Sequence, residues 1–298
     1  MAESYHSIAV TGAHGKTSTT GLLSYVFNQC QPTSYLVGDG YGRGEKNNRD
    51  FIFEACEYRR HFLSYKPSYA ILINIDFDHP DYFDGIDDVF DAFQAFADQV
   101  KEGILAYGDD PLVKKLKSSA PNTYYGLEAG NDIRAVNIQT SSAGTTFDVE
   151  IGEQFNETFS INTFGKHNIL NALAVIGMAW IQNKNVEEIQ RGLMDFKGVN
   201  RRYAEKIVGN QILIDDYAHH PAEIEATIRA TKEKYPDKRV VSIFQPHTYS
   251  RTEKFIDAFA QSLSLADQTF LCDIFGSARE KQGNVSIEEQ KTKFPVRG

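Results

Sequence analysis

The residues Thr11-Gly12-Ala13-His14-Gly15-Lys16-Thr17 set two glycines, a lysine and a threonine close together. Glycines let the backbone curl until several N–H groups converge, and a lysine adds a cation at the same point. That is chemistry for holding phosphate oxygens, with Lys16 expected to reach the β and γ phosphates and the Thr17 hydroxyl to join a magnesium shell. The longer pattern G-x-x-x-x-G-K-[ST] would need glycine at position 10, where Val10 stands, so the shorter T-G-x-x-G-K-T form is present. A chance Gly-Lys-Thr at a helix start is the competing explanation, and the strand and helix predicted on either side weigh against it. A guanine site would need an Asn-Lys-x-Asp reader, which the chain lacks, so adenine is the expected base.

Other residues have the types that such a site uses. Glu54 and His79 close two predicted strands on the edge that carries the loop, the edge where open α/β sheets bind ligands. A carboxylate and an imidazole there can ligate magnesium or order its waters, although a solvated strand end and a turn residue beside Pro80 would look the same. Glu57, Asp76 and Asp78 are similar in type and read as positional. His167 and Asn171 stand four apart at a helix start, hence on one face, where an imidazole and an amide can read an adenine edge. Helix capping is the alternative there, preferred for Asn168. Arg201 and Arg202 could neutralise a transferring phosphoryl group, or simply line a solvated strand edge.

These residues need a scaffold that brings strand ends together. Ser7 to Val10 reads as a strand, and the apolar residues of Ser18 to Asn28 recur at helical spacing, so the loop joins strand to helix. Further strands are predicted at Ser34 to Val37, Phe51 to Ala55, Tyr69 to Ile75 and Gly103 to Tyr107, with a helix over Val89 to Val100, an order that implies a mostly parallel sheet. From Ile133 the pattern alternates in three segments, to Gln139, over Thr145 to Ile151 and over Thr158 to Ile161, read as antiparallel strands appended to that sheet. Helices follow at His167 to Ile181 and Val186 to Phe196. A boundary at Lys197-Gly198-Val199-Asn200 divides a central domain, 1–198, from a smaller Rossmann-like α/β domain, 199–298. The second domain is predicted to run through a strand at Gln211 to Ile214, a helix from Pro221, a strand at Arg239 to Phe244, a helix from Thr252 and a strand at Thr269 to Ile274. The polar stretch Ala278 to Gly298 carries one short helical pattern near Ile287, and the domain is expected to lack its last strand and helix.

The 298 residues are 41% hydrophobic and 12% aromatic, enough to bury two cores. A net charge of −9 disfavours nucleic acid and anionic lipid as partners, so any phosphate must be held locally. Cys30, Cys56 and Cys272 are widely spaced with no C-x-x-C pair, which suggests free thiols rather than disulfides or zinc. No signal peptide and no run of about eighteen apolar residues is visible, so the expectation is a cytoplasmic protein without membrane insertion.

Four further motifs follow the loop in an order that resembles the muramyl (Mur) ligase family along essentially the whole chain. They are Phe53-Glu54-Ala55-Cys56-Glu57, Asn74-Ile75-Asp76-Phe77-Asp78-His79, Gly165-Lys166-His167-Asn168-Ile169-Leu170-Asn171-Ala172-Leu173-Ala174, and Asp215-Asp216-Tyr217-Ala218-His219-His220-Pro221. The stretch Phe244-Gln245-Pro246-His247-Thr248-Tyr249-Ser250-Arg251-Thr252, with the pair His219-His220, is similar to the alanine-adding branch as found in Gram-positive bacteria. Many members of that branch carry arginine after the histidine matching His247, where this chain has Thr248.

The resemblance implies an ATP-dependent ligase of peptidoglycan precursor synthesis, a process tied to cell shape and division. ATP and Mg2+ are the implied cofactors, and UDP-N-acetylmuramate and L-alanine the implied substrates. Gly12, Ala13, His14, Gly15, Lys16, Thr17, Ser18, His167, Asn171, Arg202 and Asp216 would hold the nucleotide, and Thr17, Glu54 and His79 the metal. Tyr217, His220, His247 and Arg251 would form the amino-acid end, Arg251 gripping the alanine carboxylate by paired hydrogen bonds, and His219 or His220 would serve as base. Lys16, His219, Arg202 and Arg251 are thus the implied catalytic set. Family members carry a separate N-terminal domain for the UDP group, which Met1 to His6 cannot make, so ATP binding with poor turnover is expected of this chain. A folylpolyglutamate-type ligase, a muropeptide-recycling ligase and a non-catalytic ATP-binding module are the rival readings.

Overall fold

The computed structural model describes residues 5–48, 50–153, 155–276 and 280. By internal contacts the chain forms two units. One runs through Phe77 and resumes over Gly85–Asn200, and the other takes Asp78–Asp84 and continues from Arg201.

The first unit is built on a ten-stranded sheet. In chain order its elements are β1 (His6–Thr11), α1 (Lys16–Cys30), β2 (Ser34–Leu36), β3 (Gly42–Arg43), β4 (Asp50–Glu54), β5 (Tyr69–Leu72), α2 (Ile86–Ala97), β6 (Gly103–Tyr107), β7 (Asn122–Gly126), β8 (Ile133–Ser141), β9 (Gly144–Ile151), β10 (Phe155–Ile161), α3 (Lys166–Ile181) and α4 (Val186–Asp195). The strand order is β10-β9-β8-β7-β6-β5-β1-β4-β2-β3. Pairing is parallel from β2 through β8, and antiparallel for β2 with β3, β8 with β9 and β9 with β10. The mostly parallel sheet with appended antiparallel strands is therefore as expected. β7 was not foreseen: Asn122-Thr123-Tyr124-Tyr125-Gly126 shows no alternation, and its identity comes from hydrogen bonding between β6 and β8.

The strand order positions the chemistry. β1 lies between β4 and β5, so the chain leaves β1 toward one side and later returns on the other. A crevice opens where such connections diverge, at the carboxyl ends of the strands. The loop after β1, Glu54 at the end of β4 and the segment after β5 all lie on that edge. Beneath it, α1, α3 and α4 pack on the sheet through Leu23, Val26, Phe27, Leu173, Ile176, Met178, Ile189 and Leu193, all buried. α3 is apolar almost all round, which fits its position between sheet and helices rather than at a surface.

The second unit contains β11 (Ala204–Val208), β12 (Gln211–Asp215), α5 (Pro221–Lys234), β13 (Val241–Phe244), α6 (Tyr249–Lys254), α7 (Ile256–Leu263) and β14 (Gln268–Leu271). β11 and β12 form an antiparallel hairpin around Gly209, while β13 and β14 pair in parallel. Its core gathers Ile224 and Ile228 of α5, Phe244 of β13, and Phe259 and Leu263 of α7. The helical pattern expected near Ile287 lies outside the described residues. No described helix is long and apolar enough to cross a membrane.

Candidate functional site

In the first unit the loop after β1 is drawn tight by side chains of the segment that follows β5. Asn74 accepts the His14 N–H through Oδ1 at 2.9 Å and donates Nδ2 to the His14 carbonyl at 3.0 Å. The His14 ring meets Asp76 at 3.0 Å. Gly12 and Gly15 take φ of 152° and 84°, and a Cβ on Gly12 would stand 3.1 Å from the Asn74 nitrogen and Ile73 Cβ, so both the conformation and the approach require glycine. In the sequence Asn74 stands out only as part of a motif. Its two bonds to His14 show that it shapes the loop.

Lys16 turns back into the loop it helps to form. Nζ donates to the carbonyls of Gly12 (2.6 Å) and Ala13 (3.0 Å) and pairs with Glu57 Oε2 at 2.8 Å. Burial by itself would depress its pKa, but Glu57, with smaller help from Cys56 and Glu54, outweighs burial and holds the ammonium above its ordinary range. Lys16 is therefore charged at any working pH. Glu57, positional by its sequence context, is the counter-ion of the loop lysine. Its burial, 2% exposed, could not be read from its place beyond a strand end.

Thr17 lies in the first turn of α1, and Thr19, two residues further on, donates its hydroxyl to Asn171 Oδ1 at 3.1 Å. Asn171 is thus drawn against the loop; a Cβ on Gly15 would meet its Oδ1 at 3.3 Å. A cleft of about 340 Å³, counting its open mouth, lies beside it, lined by Ser18, Leu22, Thr163, Asn168, Asn171 and Phe196. Asn168 donates to the Phe164 carbonyl at 2.7 Å across the start of α3. His167 occupies the first turn of the same helix.

The expected metal donors are an alcohol, a carboxylate and an imidazole, a set that a hydrated divalent cation accepts. The structure supplies a cradle for the carboxylate. The Gly38 N–H donates to Glu54 Oε2 at 2.9 Å, and a Cβ on Gly38 would fall 2.2 Å from that oxygen. That bond fixes one oxygen of Glu54, a donor of the type that a hydrated divalent cation takes. His79 takes a left-handed φ of 58° in a turn, with its N–H on Asp78 Oδ1 and its carbonyl receiving Tyr82 and Phe83.

The second unit gathers the polar residues singled out from β12, α5 and α6. The Tyr217 and His219 rings meet edge-on at 5.1 Å, the His219 and His247 rings lie 6.3 Å apart, and His247 Nδ1 is 3.5 Å from Arg251 Nη1. Arg201 and Arg202 both lie over the Tyr217 ring, at 4.9 and 5.5 Å. Asp216 accepts the N–H groups of Tyr203 and Ala218. Burial raises its pKa, against the pull of those N–H groups and of Arg202.

Glu223 organises this cluster and was not singled out from the sequence. It accepts the His219 and His220 N–H groups at 3.0 and 3.3 Å, approaches the His219 ring at 3.4 Å and pairs with Arg202 at 3.6 Å. The signal was present: a glutamate three residues after a helix N-cap, with proline between, is a capping-box pattern. Burial lowers the pKa of His219, with Glu223 opposing and Arg251 assisting, so the ring is neutral at pH 7. Arg251 is 4% exposed and gives two of its nitrogens to Asp78, so the fork expected to grip a substrate carboxylate is engaged within the protein. Thr248, the departure from the branch pattern, is buried at φ 68°, a backbone state that a β-branched residue rarely adopts.

Residues 10–179 match the Mur ligase middle domain and residues 202–293 the Mur ligase glutamate ligase domain. Among solved structures, the UDP-N-acetylmuramate-alanine ligase MurC of Thermotoga maritima is 27% identical with a TM-score of 0.77, covering 92% of this chain and 63% of its own. A murein peptide ligase of Psychrobacter arcticus is 25% identical with a TM-score of 0.67, covering 90% of this chain and 63% of its own. MurF of Acinetobacter baumannii, 18% identical at a TM-score of 0.74, shares the fold over 91% of this chain and 64% of its own. The chain thus spans under two thirds of the length of each.

Proposed function

Because the chain belongs to the Mur ligase family, we propose that it is the nucleotide-binding and amino-acid-binding part of an ATP-dependent ligase that joins L-alanine to the lactyl carboxylate of UDP-N-acetylmuramate. The observation that carries this reading is the Lys16 loop at the end of β1, where strand connections diverge and a helix N-terminus and a lysine converge. The alanine assignment draws support from the similarity to the Thermotoga enzyme and from the His219, His220 and His247 cluster.

In the proposed reaction the carboxylate takes the γ-phosphoryl group of ATP, giving an acyl phosphate. The amine of alanine then attacks, and phosphate leaves. Phosphoryl transfer asks little covalent work of a protein, so positioning and charge neutralisation by Lys16 and an arginine carry most of the effect. Thr17, Glu54 and His79 would hold a magnesium ion, which when bound supplies charge neutralisation at the phosphates. Asn171, beside its cleft, and His167 would receive the adenine, and Asp216 the ribose or phosphates. The amine must be deprotonated to attack, and His219, kept neutral by burial, is the acceptor this reading assigns. Arg202 over Tyr217 serves the phosphates, while His220, His247 and the Arg251 edge facing His247 serve the amino acid.

Phosphate release from MgATP tests this, measured on the chain joined to a UDP-binding N-terminal domain, with UDP-N-acetylmuramate and with or without L-alanine. Release that needs both substrates and disappears in Lys16→Ala is expected. Release indifferent to both would leave a nucleotide-binding module only. The similarity to the murein peptide ligase favours one second reading, attachment of a peptide to the same sugar, and competition between L-alanine and a tripeptide separates the two.

A further inference from the structure

Lys16 is the residue on which a phosphate site at this loop depends, and its ammonium is already engaged. An ammonium has three N–H donors, and Nζ faces three oxygens, those of Gly12, Ala13 and Glu57 Oε2. The Lys16 and Glu57 side chains are 12% and 3% exposed, so water screens their attraction little. Phosphate oxygens need the same cation. They gain it only by exchange.

Glu57 is held in place by structure of its own. The Ala55 N–H donates to the Val10 carbonyl at 2.9 Å, extending the course of β4 alongside β1. Arg60 N–H then closes on the Glu57 carbonyl at 2.8 Å and Phe62 N–H on the Cys56 carbonyl at 3.0 Å. Within that turn Arg59 and Arg60 both take left-handed φ, 52° and 55°, a strained state for residues with a Cβ. Two contacts hold the strain. Arg60 pairs with Asp88 at 2.6 Å, and Phe62, fully buried, stacks on Phe96 at 4.8 Å and meets Phe93 edge-on.

We propose that Glu57 is a positioning residue that latches Lys16 in the nucleotide-free protein, so that the phosphates of ATP enter by replacing Glu57 on the Lys16 ammonium. This rests on the reading of the loop as a nucleoside triphosphate site. Glu57 then sets the affinity of the loop. A ligand must bring enough phosphate oxygen to repay the loss of the pair and the buried carboxylate it leaves behind. Glutamine keeps the shape of Glu57 but not its charge, and so removes the competitor for Lys16.

The test is calorimetric titration of this chain with MgADP, comparing wild type with Glu57→Gln, Glu57→Asp and Lys16→Ala, each checked for its melting transition. Glu57→Gln is expected to tighten binding by about tenfold or more. Glu57→Asp, which keeps the charge on a shorter arm, should tighten it by less. A residue that only supported the loop would weaken binding when replaced. Binding that Lys16→Ala removes but that folded Glu57→Gln leaves unchanged or weaker overturns the latch and leaves the nucleotide reading standing. If Glu57→Gln does not fold, weaker binding by Glu57→Asp overturns it in the same way. Binding indifferent to Lys16→Ala overturns the nucleotide reading itself.

Discussion

Arg251 and Asp78 meet through two parallel hydrogen bonds, Nε to Oδ1 at 2.9 Å and Nη2 to Oδ2 at 3.2 Å, although 173 positions separate them in the chain. Both side chains are about 5% exposed or less. The pair ties Asp78 to α6 within the second unit, to which Asp78–Asp84 belongs by its contacts. Replacing Asp78 by alanine leaves a buried guanidinium without its fork partner, a change that costs about 3–5 kcal/mol. Faster amide exchange over α6 and a lower denaturation midpoint for the second unit are expected. Unchanged exchange there would show that the pair contributes nothing to the unit.

Lys16→Ala should do more than remove a phosphate ligand. It removes the cation that the buried Glu57 carboxylate faces, so the first unit should lose stability by about 3–5 kcal/mol. Adding Glu57→Gln to Lys16→Ala should restore most of that loss without restoring nucleotide binding. A double-mutant cycle on urea midpoints measures the coupling, and additive losses would show that the two residues do not interact.

His219 gives stability a pH dependence of definite sign. Its folded pKa lies below the ordinary 6.5. As pH falls through 6.5 toward the folded value, the unfolded chain takes up the proton first, so stability is lost on acidification and is fully present above 6.5. Melting temperatures between pH 7.5 and 5.5 should fall more steeply for wild type than for His219→Gln. Equal slopes would mean that the ring titrates alike in both states.

Gly38→Ala separates folding from metal holding. The three atoms nearest the added Cβ all belong to the far end of Glu54, which can swing aside, so the melting temperature should change little. The displaced carboxylate should lower the magnesium-dependent part of nucleotide affinity by about tenfold or more. Titrations with and without magnesium supply the comparison, and equal affinity in both proteins would remove Glu54 from the metal site.

Elements whose pattern is local were legible in the sequence. The alternation of β9 gives its inward residues Phe147, Val149 and Ile151, and the apolar run of α3 gives a buried helix. β11 was missed because all its residues are exposed, so no buried face marks it. Its signal was the Gly209-Asn210 turn, which suits a two-residue hairpin loop. The loop residues and the His219, His220 and His247 set were named from the sequence, whereas Asn74 and Glu223, which hold those groups in place, were not.

The sequence by itself determined the phosphate-type loop, the mostly parallel order of the first sheet and the residue types available for chemistry, because these follow from spacing along a few turns or strands. Only the tertiary structure decided that Glu57 holds Lys16 and Asp78 holds Arg251. A carboxylate's worth depends on its burial and on the cation that faces it, and both are set by strand order and by packing between distant segments. Neither is written in the residues that flank it.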